Sequence, residues 1–466
     1  MEAIEASRCL SRLLVSKCIL ADQAPVTHRR WAGCSPRFQI QISKPVRKRR
    51  REEHEEMSST KSNMNLGEHR HLRPSDDSVA AWTQCIGNRF WLPVLMIAAC
   101  FTAAAVPVSG QRIVVFDVPG AVNTHPWGIN NRGVVDGFYS GADGINRGFL
   151  RTPDGEFITF DGGTGASAPL GTFPAGINFL GSVTGAYDKD NVSHGFVRTR
   201  DGKVINFDVD GAGASGTLQP FGWCGGWTYP NCLQGTIPTS INDLGEIDGF
   251  FVDSNWVWHG FIREPDGRIT KFDAPGASTL PGQGTAVNDQ GPSLNNNGEI
   301  VGFSFGGQSA DHGFIRTRAG KFIPFNDPNA ATGQGTTPLS VNMFGLVAGD
   351  SIDSDGRRSF VGFRGDELNT YSAPGGPWPK WIYTQQVNDR GAVTGIINDD
   401  VLSGIVHGYV RSLDGKMSVF DAGPLSSGAC CWQGTQSFGI NDSGVVEGLY
   451  TDDHWVGHGF VRYPEE

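Results

Sequence analysis

HGFVRTRDGKVINFD (His194 to Asp208) reads as two short runs of β-formers around an Asp-Gly turn, which is the signature of a β-hairpin. The pattern returns as HGFIREPDGRITKFD (His259 to Asp273), HGFIRTRAGKFIPFN (His312 to Asn326) and HGYVRSLDGKMSVFD (His407 to Asp421). Looser copies start at Arg147 and Ser359, and a half-copy, HGFVRYPEE, starts at His458. Between copies stands a second hairpin signature, GINNRGVVDGFY, GINFLGSVTGAY, SINDLGEIDGFF, LNNNGEIVGFSF, SVNMFGLVAGDS, QVNDRGAVTGII and GINDSGVVEGLY. One hairpin of each kind in tandem makes a four-stranded meander, and a period of 47 to 65 residues repeated seven times means stacked supersecondary units.

The strands lack polar/apolar alternation. In Gly195-Phe196-Val197 and Gly260-Phe261-Ile262, neighbouring apolar side chains must point to opposite faces, so both faces of each small sheet are expected to be covered. Seven such sheets fit an all-β fold, a seven-bladed β-propeller of four-stranded antiparallel blades over residues 111–466. The repeat region starts with a lone Phe-Asp strand, Ile113 to Asp117, and ends after a Gly-Phe strand, residues 458–462, that lacks its partner. The first strand is therefore expected to complete the last blade and remove free sheet edges. A parallel β-solenoid is the structural rival, but its coils are shorter and do not use tandem Asp-Gly hairpins.

Charge divides the chain. Residues 1–110 carry 16 Lys and Arg against 10 Asp and Glu, and residues 111–466 carry 22 against 38. An acidic repeat region argues against nucleic acid or an anionic membrane surface as its partner. Residues 1–88, with the basic run Arg47 to Arg51, read as a disordered or mis-annotated extension, the natural start being expected at Met57 or Met64. Residues 89–110 read as an export segment. Phe90 to Val108 is apolar and uncharged behind Arg89, and three readings stay open: a cleaved signal, a lipoprotein acylated at Cys100, or an uncleaved anchor. Contact with a membrane is expected only through residues 90–108 if uncleaved, or through Cys100 if lipidated. Of nine Cys, four follow this segment. Cys224 and Cys232 close a short loop and are the expected disulfide, and the adjacent Cys430 and Cys431 stay open between a strained vicinal bridge, other partners and free thiols.

Within each meander the hairpin turns fall at one end and the longer, variable connections at the other, so the long-loop end is the expected working face. It is rich in aromatics: Trp223, Trp227 and Tyr229, then Trp256 and Trp258, then Trp378 and Trp381, Trp432 and Trp455. Flat exposed rings stack on sugars or anchor a protein, and the competing role is to plug gaps between blades. Asp353-Ser354-Asp355-Gly356 is similar to short calcium loops but lacks the bidentate Glu of an EF-hand, so Asp353 and Asp355 are a weak metal site and no other cofactor is expected. The five repeated His residues, 194, 259, 312, 407 and 458, read as framework, each ring hydrogen-bonding a loop or the Phe-Asp carboxylate. No G-x-S-x-G, H-E-x-x-H, phosphate loop or dinucleotide fingerprint occurs.

The units HGFVRTRDGKVINFD and GINDSGVVEGLY resemble the extracellular HAF-type repeat, a family of bacterial secreted proteins named for a His-Ala-Phe core, with Gly here in place of Ala. The resemblance spans residues 113–462 and implies export. Some members carry a C-terminal sorting tail, and no such tail precedes Glu466, so sorting by that route is not expected. The family supplies no catalytic residues. The expected function is a secreted or surface binding module for an extracellular glycan or protein. The alternative is a propeller enzyme, a lyase or hydrolase acting on a polysaccharide or lactone with carboxylates and calcium.

Overall fold

A computed structural model describes residues 112–165, 171–216, 233–288, 291–304, 312–331, 335–375, 380–400, 404–424 and 432–465. The export segment and the expectations on Trp223, Cys224, Trp227, Tyr229, Cys232, Trp378, Cys430 and Cys431 lie outside these residues. Every regular element among them is a β-strand. The strands pair in chain order as four-stranded antiparallel meanders over residues 123–160, 172–207, 234–272, 285–324, 336–371 and 381–420, here units one to six. Unit seven joins Gly434–Ile440, Val446–Thr451 and Gly457–Arg462 to the first strand of the fold, Ile113–Phe116, with Ile113 opposite Arg462 and Phe116 opposite Gly459. Short parallel pairings tie unit two to three and unit six to seven.

Local chemistry explains each unit. In the first turn of unit one the Asn130 carboxamide oxygen accepts from the backbone N–H of Arg132 and of Val134, both at 3.0 Å. Gly133 closes that turn at φ 74°, a conformation that costs a side chain but not glycine. The Gly of the second strand serves a different need. A Cβ on Gly249 would lie 2.4 Å from the Ile237 carbonyl and 2.7 Å from the Phe261 ring, so only glycine lets this ring lie flat on the neighbouring strand. One feature escapes the repeat pattern as read from sequence. The first strand of six units carries a one-residue bulge, as between Pro126 and Gly128, and in four of them it follows a proline that cannot donate to the ladder.

The core lies between units. The third-strand rings Phe149, Phe196, Phe261, Phe360, Tyr409 and Phe460 are fully buried. The second strands of units three, four and six, Ile247–Val252, Ile300–Ser304 and Val393–Asn398, are buried along their whole length, which matches the expectation of sheets covered on both faces. An Arg at the end of the third strand lies over the fourth-strand ring of the preceding unit: Arg198 over Phe160, Arg263 over Phe207, Arg316 over Phe272, Arg411 over Tyr371, Arg462 over Phe420, and Arg151 over Phe116. Each such contact contributes on the order of 1 kcal/mol. Unit five has Phe363 at this position and keeps the ring contact of Phe325 with Phe360, which other units make beside their Arg, as Phe160 does with Phe196.

The turn asparagines do more than cap. Asn130 Nδ2 donates to the carbonyl of Asn178 at 3.0 Å, Asn178 to Asn242 at 3.1 Å, and Asn242 to Asn295 at 3.1 Å. Asn295 donates to Asn342 at 3.0 Å, Asn342 to Asn388 at 3.0 Å, Asn388 to Asn441 at 2.9 Å, and Asn441 returns to Asn130 at 3.2 Å. Each amide thus bonds its own turn and the next unit, with its polar atoms satisfied where water is excluded.

Candidate functional site

The two ends of the units carry different chemistry. At the end bearing the Asn turns, side chains of all seven units line a cavity of about 140 Å³. Its rim holds Asn131, Phe179, Asp243, Asn296, Met343, Asp389 and Asp442. These residues bond one another around the rim: Asp243 N–H donates to Asn296, Met343 N–H to Asp389, Asp389 N–H to Asp442, and Asp442 N–H to Asn131, all at 2.8 or 2.9 Å. Partial burial, with the negative charges of Asp442 and Asp243, raises the pKa of Asp389. The polar side chains of the rim are thus engaged with neighbouring units, while Phe179 and Met343 stay exposed.

The other end carries the second-to-third-strand connections and the links between units. Here the His of the third strand meets the Asp that ends the fourth, 14 residues on: His194 and Asp208 at 3.0 Å, His259 and Asp273 at 2.8 Å, His407 and Asp421 at 2.7 Å. His458 makes the same contact with Asp117 of the first strand at 3.0 Å. The framework role expected for four of the five His is therefore present. Hydrogen bonds to these aspartates raise the pKa of His194, His259 and His407. His407 also faces Asp399 through Nε2 at 3.1 Å, so both of its ring nitrogens are occupied.

A sign follows. A His whose pKa is higher in the fold than in the unfolded chain contributes stability below its unfolded value near 6.5, and loses it as pH rises through the folded value. Asp421→Asn is expected to move the His407 titration, followed by NMR of its ring protons, back toward 6.5. It should remove roughly 0.5 kcal/mol of stability at pH 6 and almost none at pH 9, the small size reflecting the half-exposed carboxylate.

The tryptophans separate. Trp258 is 3% exposed and stacks on Phe250 inside the core, so its expected place in a ligand site is corrected: its side chain fills the junction of units three and four. Trp256 is half-buried against the same cluster. Trp381 and Trp432 are half-buried beside Tyr383, at 6.1 and 5.3 Å between ring centres. Trp455 alone of the described tryptophans is solvent-facing, at 45%. Trp256 and Trp455 occupy equivalent turns, each donating its N–H to an Asp three residues back, Asp253 and Asp452. Their φ angles are 65° and 63°, where the matching turn of unit one has Gly144. A bulky residue in this conformation costs on the order of 1 kcal/mol. The turn itself would be better served by glycine.

The weak metal site is also corrected. Asp353 Oδ1 accepts from the N–H of Asp355 and Gly356, its other oxygen binds Arg358 Nε, and Asp355 meets Arg358 at 3.2 Å. One guanidinium engages both carboxylates, and no group of three or more His, Cys, Asp or Glu able to hold a metal ion occurs among the described residues.

A groove of about 460 Å³ opens between units three and four, and sequence reasoning missed it. One wall is the Ala274-Pro275-Gly276 link, and the other holds Ser304, His312, Phe314, Phe322, Pro324 and Asn326. The signal available was Asn326, which stands where four other copies have the Asp that binds their His. Asn326 Oδ1 accepts from the Gly313 N–H at 2.9 Å. The groove combines apolar ring and proline surfaces with imidazole, carboxamide and hydroxyl groups, the mixture that small-ligand sites use.

No family model and no curated protein matches the chain. Among solved structures, the chain is similar to the Aleuria aurantia lectin in complex with Fucα1-6GlcNAc, at 12% identity and TM-score 0.35 over 66% of this chain and 94% of that one. It is similar to AofleA from Arthrobotrys oligospora at 10% identity and TM-score 0.38, over 66% and 90%. A prolyl endopeptidase aligns at 12% identity and TM-score 0.37, over 74% of this chain and 55% of that one. All three are faint likenesses.

Proposed function

We propose that residues 111–466 form a closed seven-bladed β-propeller that works as an extracellular binding module, taking a glycan or a protein surface at the end that carries the links between units. The observation that carries the ligand reading is the groove at His312 and Asn326, with Trp455 as a second, exposed platform at the same end of unit seven. A sugar offers an apolar ring face and a rim of hydroxyls, which rings and polar side chains match together. Closure is supported by the asparagine amides, which pass through seven units and return to the first, and by the pairing of Ile113–Phe116 with Gly457–Arg462. Export through residues 90–108 and membership of the HAF-type repeat family belong to the same proposal, and the repeat copies themselves support them.

The enzyme alternative draws less support. The most enclosed His–Asp pair, His407 with Asp421 and Asp399, has both ring nitrogens held by carboxylates and so offers no base to a substrate.

A glycan array probed with residues 111–466 tests the reading. The chain should bind a defined subset, and His312→Ala and Asn326→Ala should each weaken the best binders at least tenfold. Trp455→Gly is expected to reduce binding at its own platform while holding or raising thermal stability by about 0.5–1 kcal/mol, because it relaxes the strained turn. Uniform silence of the array, or unchanged binding by all three variants, removes the glycan reading.

A further inference from the structure

The junction between units one and seven contains two carboxyl groups with no partner. Asp136 lies on the second strand of unit one and Glu447 at the matching position of unit seven. Both are 0% exposed, and none of their four oxygens has a well-formed hydrogen bond. Each reaches over a glycine of its own first strand. A Cβ on Gly128 would lie 2.7 Å from Asp136 Oδ1, and one on Gly439 would lie 2.6 Å from Glu447 Oε1 and 3.3 Å from the Ile129 side chain. The two glycines therefore leave room for the acids at the place where the first strands of units one and seven pack together. Corresponding positions elsewhere are neutral or satisfied: Thr184, Val301, Ala348 and Thr394, and an Asp248 that accepts from Ser240 and Ser293 at 2.6 and 2.7 Å.

We propose that Asp136 and Glu447 form a proton-held clasp between the first and last units, closed while the pair keeps its protons and loosened when it ionises. An ionised carboxylate without a partner in the interior is costly, and two that share one junction also repel. Burial pushes Asp136 up to about 7 and, with the charge of Asp136, holds Glu447 well above the usual carboxylate range; the nearby Gly439 backbone lowers Glu447 by less. The surrounding strands bring no free countercharge. The first strand of unit one contributes His125, which burial lowers to about 4 and so keeps neutral. Its third strand contributes Arg147, held by Asp143, and Arg151, lying over Phe116. The third strand of unit seven contributes His458, on Asp117 and facing Asp452, and Arg462, over Phe420. Thr172–Ile177 of unit two and Gly434–Ile440 of unit seven carry no titratable side chain. A carboxyl raised in the fold keeps full stability below its unfolded value near 4 and loses it as pH climbs through the folded value, so the junction should weaken from pH 4 to 7 and beyond.

Hydrogen exchange at pH 5 and pH 8, divided by the intrinsic chemical rate, reads the junction directly. In the wild-type chain, opening of peptides covering 113–129 and 434–462 should rise at least tenfold between these pH values relative to 336–363 in unit five. In the Asp136→Asn, Glu447→Gln double variant, whose amides mimic the protonated acids, the rise should fall below twofold. The pairs of His194, His259 and His407 weaken over an overlapping span, so the difference between the two chains is the measured quantity. Should the double variant not fold, Glu447→Gln alone must at least halve the wild-type rise. Equal pH responses in wild type and variant overturn the proposal. So does protection of the wild-type junction at pH 8 by calcium and its reversal by a chelator, which would place an ion where the protons are assigned.

Discussion

Removing residues 112–117 should prevent the remaining repeats from reaching a cooperative folded state. The loss strips Gly457–Arg462 of its antiparallel partner over four residue pairs, from Ile113 opposite Arg462 to Phe116 opposite Gly459. It also removes the Phe116 ring, which is buried against Gly459 and lies beneath Arg151 of unit one, and the Asp117 carboxylate that holds His458. Deleting one buried Phe side chain costs about 3–5 kcal/mol, and each ladder hydrogen bond left open at a buried edge adds about 1 kcal/mol. The sum approaches the whole stability of an ordinary domain, about 5–15 kcal/mol. The check is thermal unfolding followed by near-ultraviolet circular dichroism, which should lose its cooperative transition. A synthetic peptide of residues 111–118 should restore that transition by adding the missing strand. A truncated chain that melts within a few degrees of the full one would show that unit seven does not depend on the first strand.

The second large effect is expected at Asn441. Its amide accepts from Ser443 and Val445 in its own turn and donates to the Asn130 carbonyl at 3.2 Å, so it ties unit seven to unit one. Asn441→Ala takes the side-chain acceptor from the Ser443 and Val445 N–H groups in a part-buried turn and leaves the Asn130 carbonyl with the Gly133 N–H alone, and should cost about 2 kcal/mol. Asn441→Asp is the more informative change. It keeps the acceptor for both N–H groups but sets a carboxylate oxygen against the Asn130 carbonyl in place of a donor. Its destabilisation should therefore match or exceed that of Ala at pH 7 and shrink at pH 4, where a protonated Asp can donate again. Chemical denaturation at the two pH values measures both. If Asp proves as mild as a surface substitution at pH 7, the donor contact between units contributes little.

The hairpins were legible because their determinants are local. Asp201-Gly202 and Asn242-Asp243-Leu244-Gly245 carry their turn conformation within four residues, and the pairing of the first strand with the last followed from counting what each end of the repeat region lacked. The role of His194, His259 and His407 was legible for the same reason, since a hairpin of fixed length brings each to the Asp of its fourth strand, and His458 follows once the first strand is paired with the last. The candidate site was less legible. Trp258 and Trp455 look alike in sequence, each standing just before a His-Gly-Phe core or its turn. One plugs a junction and the other faces solvent because Trp258 lies on the third strand, opposite Val252, whereas Trp455 sits in the turn before it, where unit three has Trp256. Asp353 and Asp355 looked like a cation loop until Arg358 was found between them.

Taken by itself, the amino-acid order settled the β-character, the hairpin boundaries and the partner of the first strand, since turn chemistry and repeat length act over a few bonds. The tertiary structure alone decided what lies between repeats: the Arg-over-Phe contacts, the relay of asparagine amides, the groove at His312 and the lone carboxyls of Asp136 and Glu447. Those depend on which surfaces of separate units meet and exclude water, and residues some fifty to three hundred positions apart carry no mark of that meeting in a single chain.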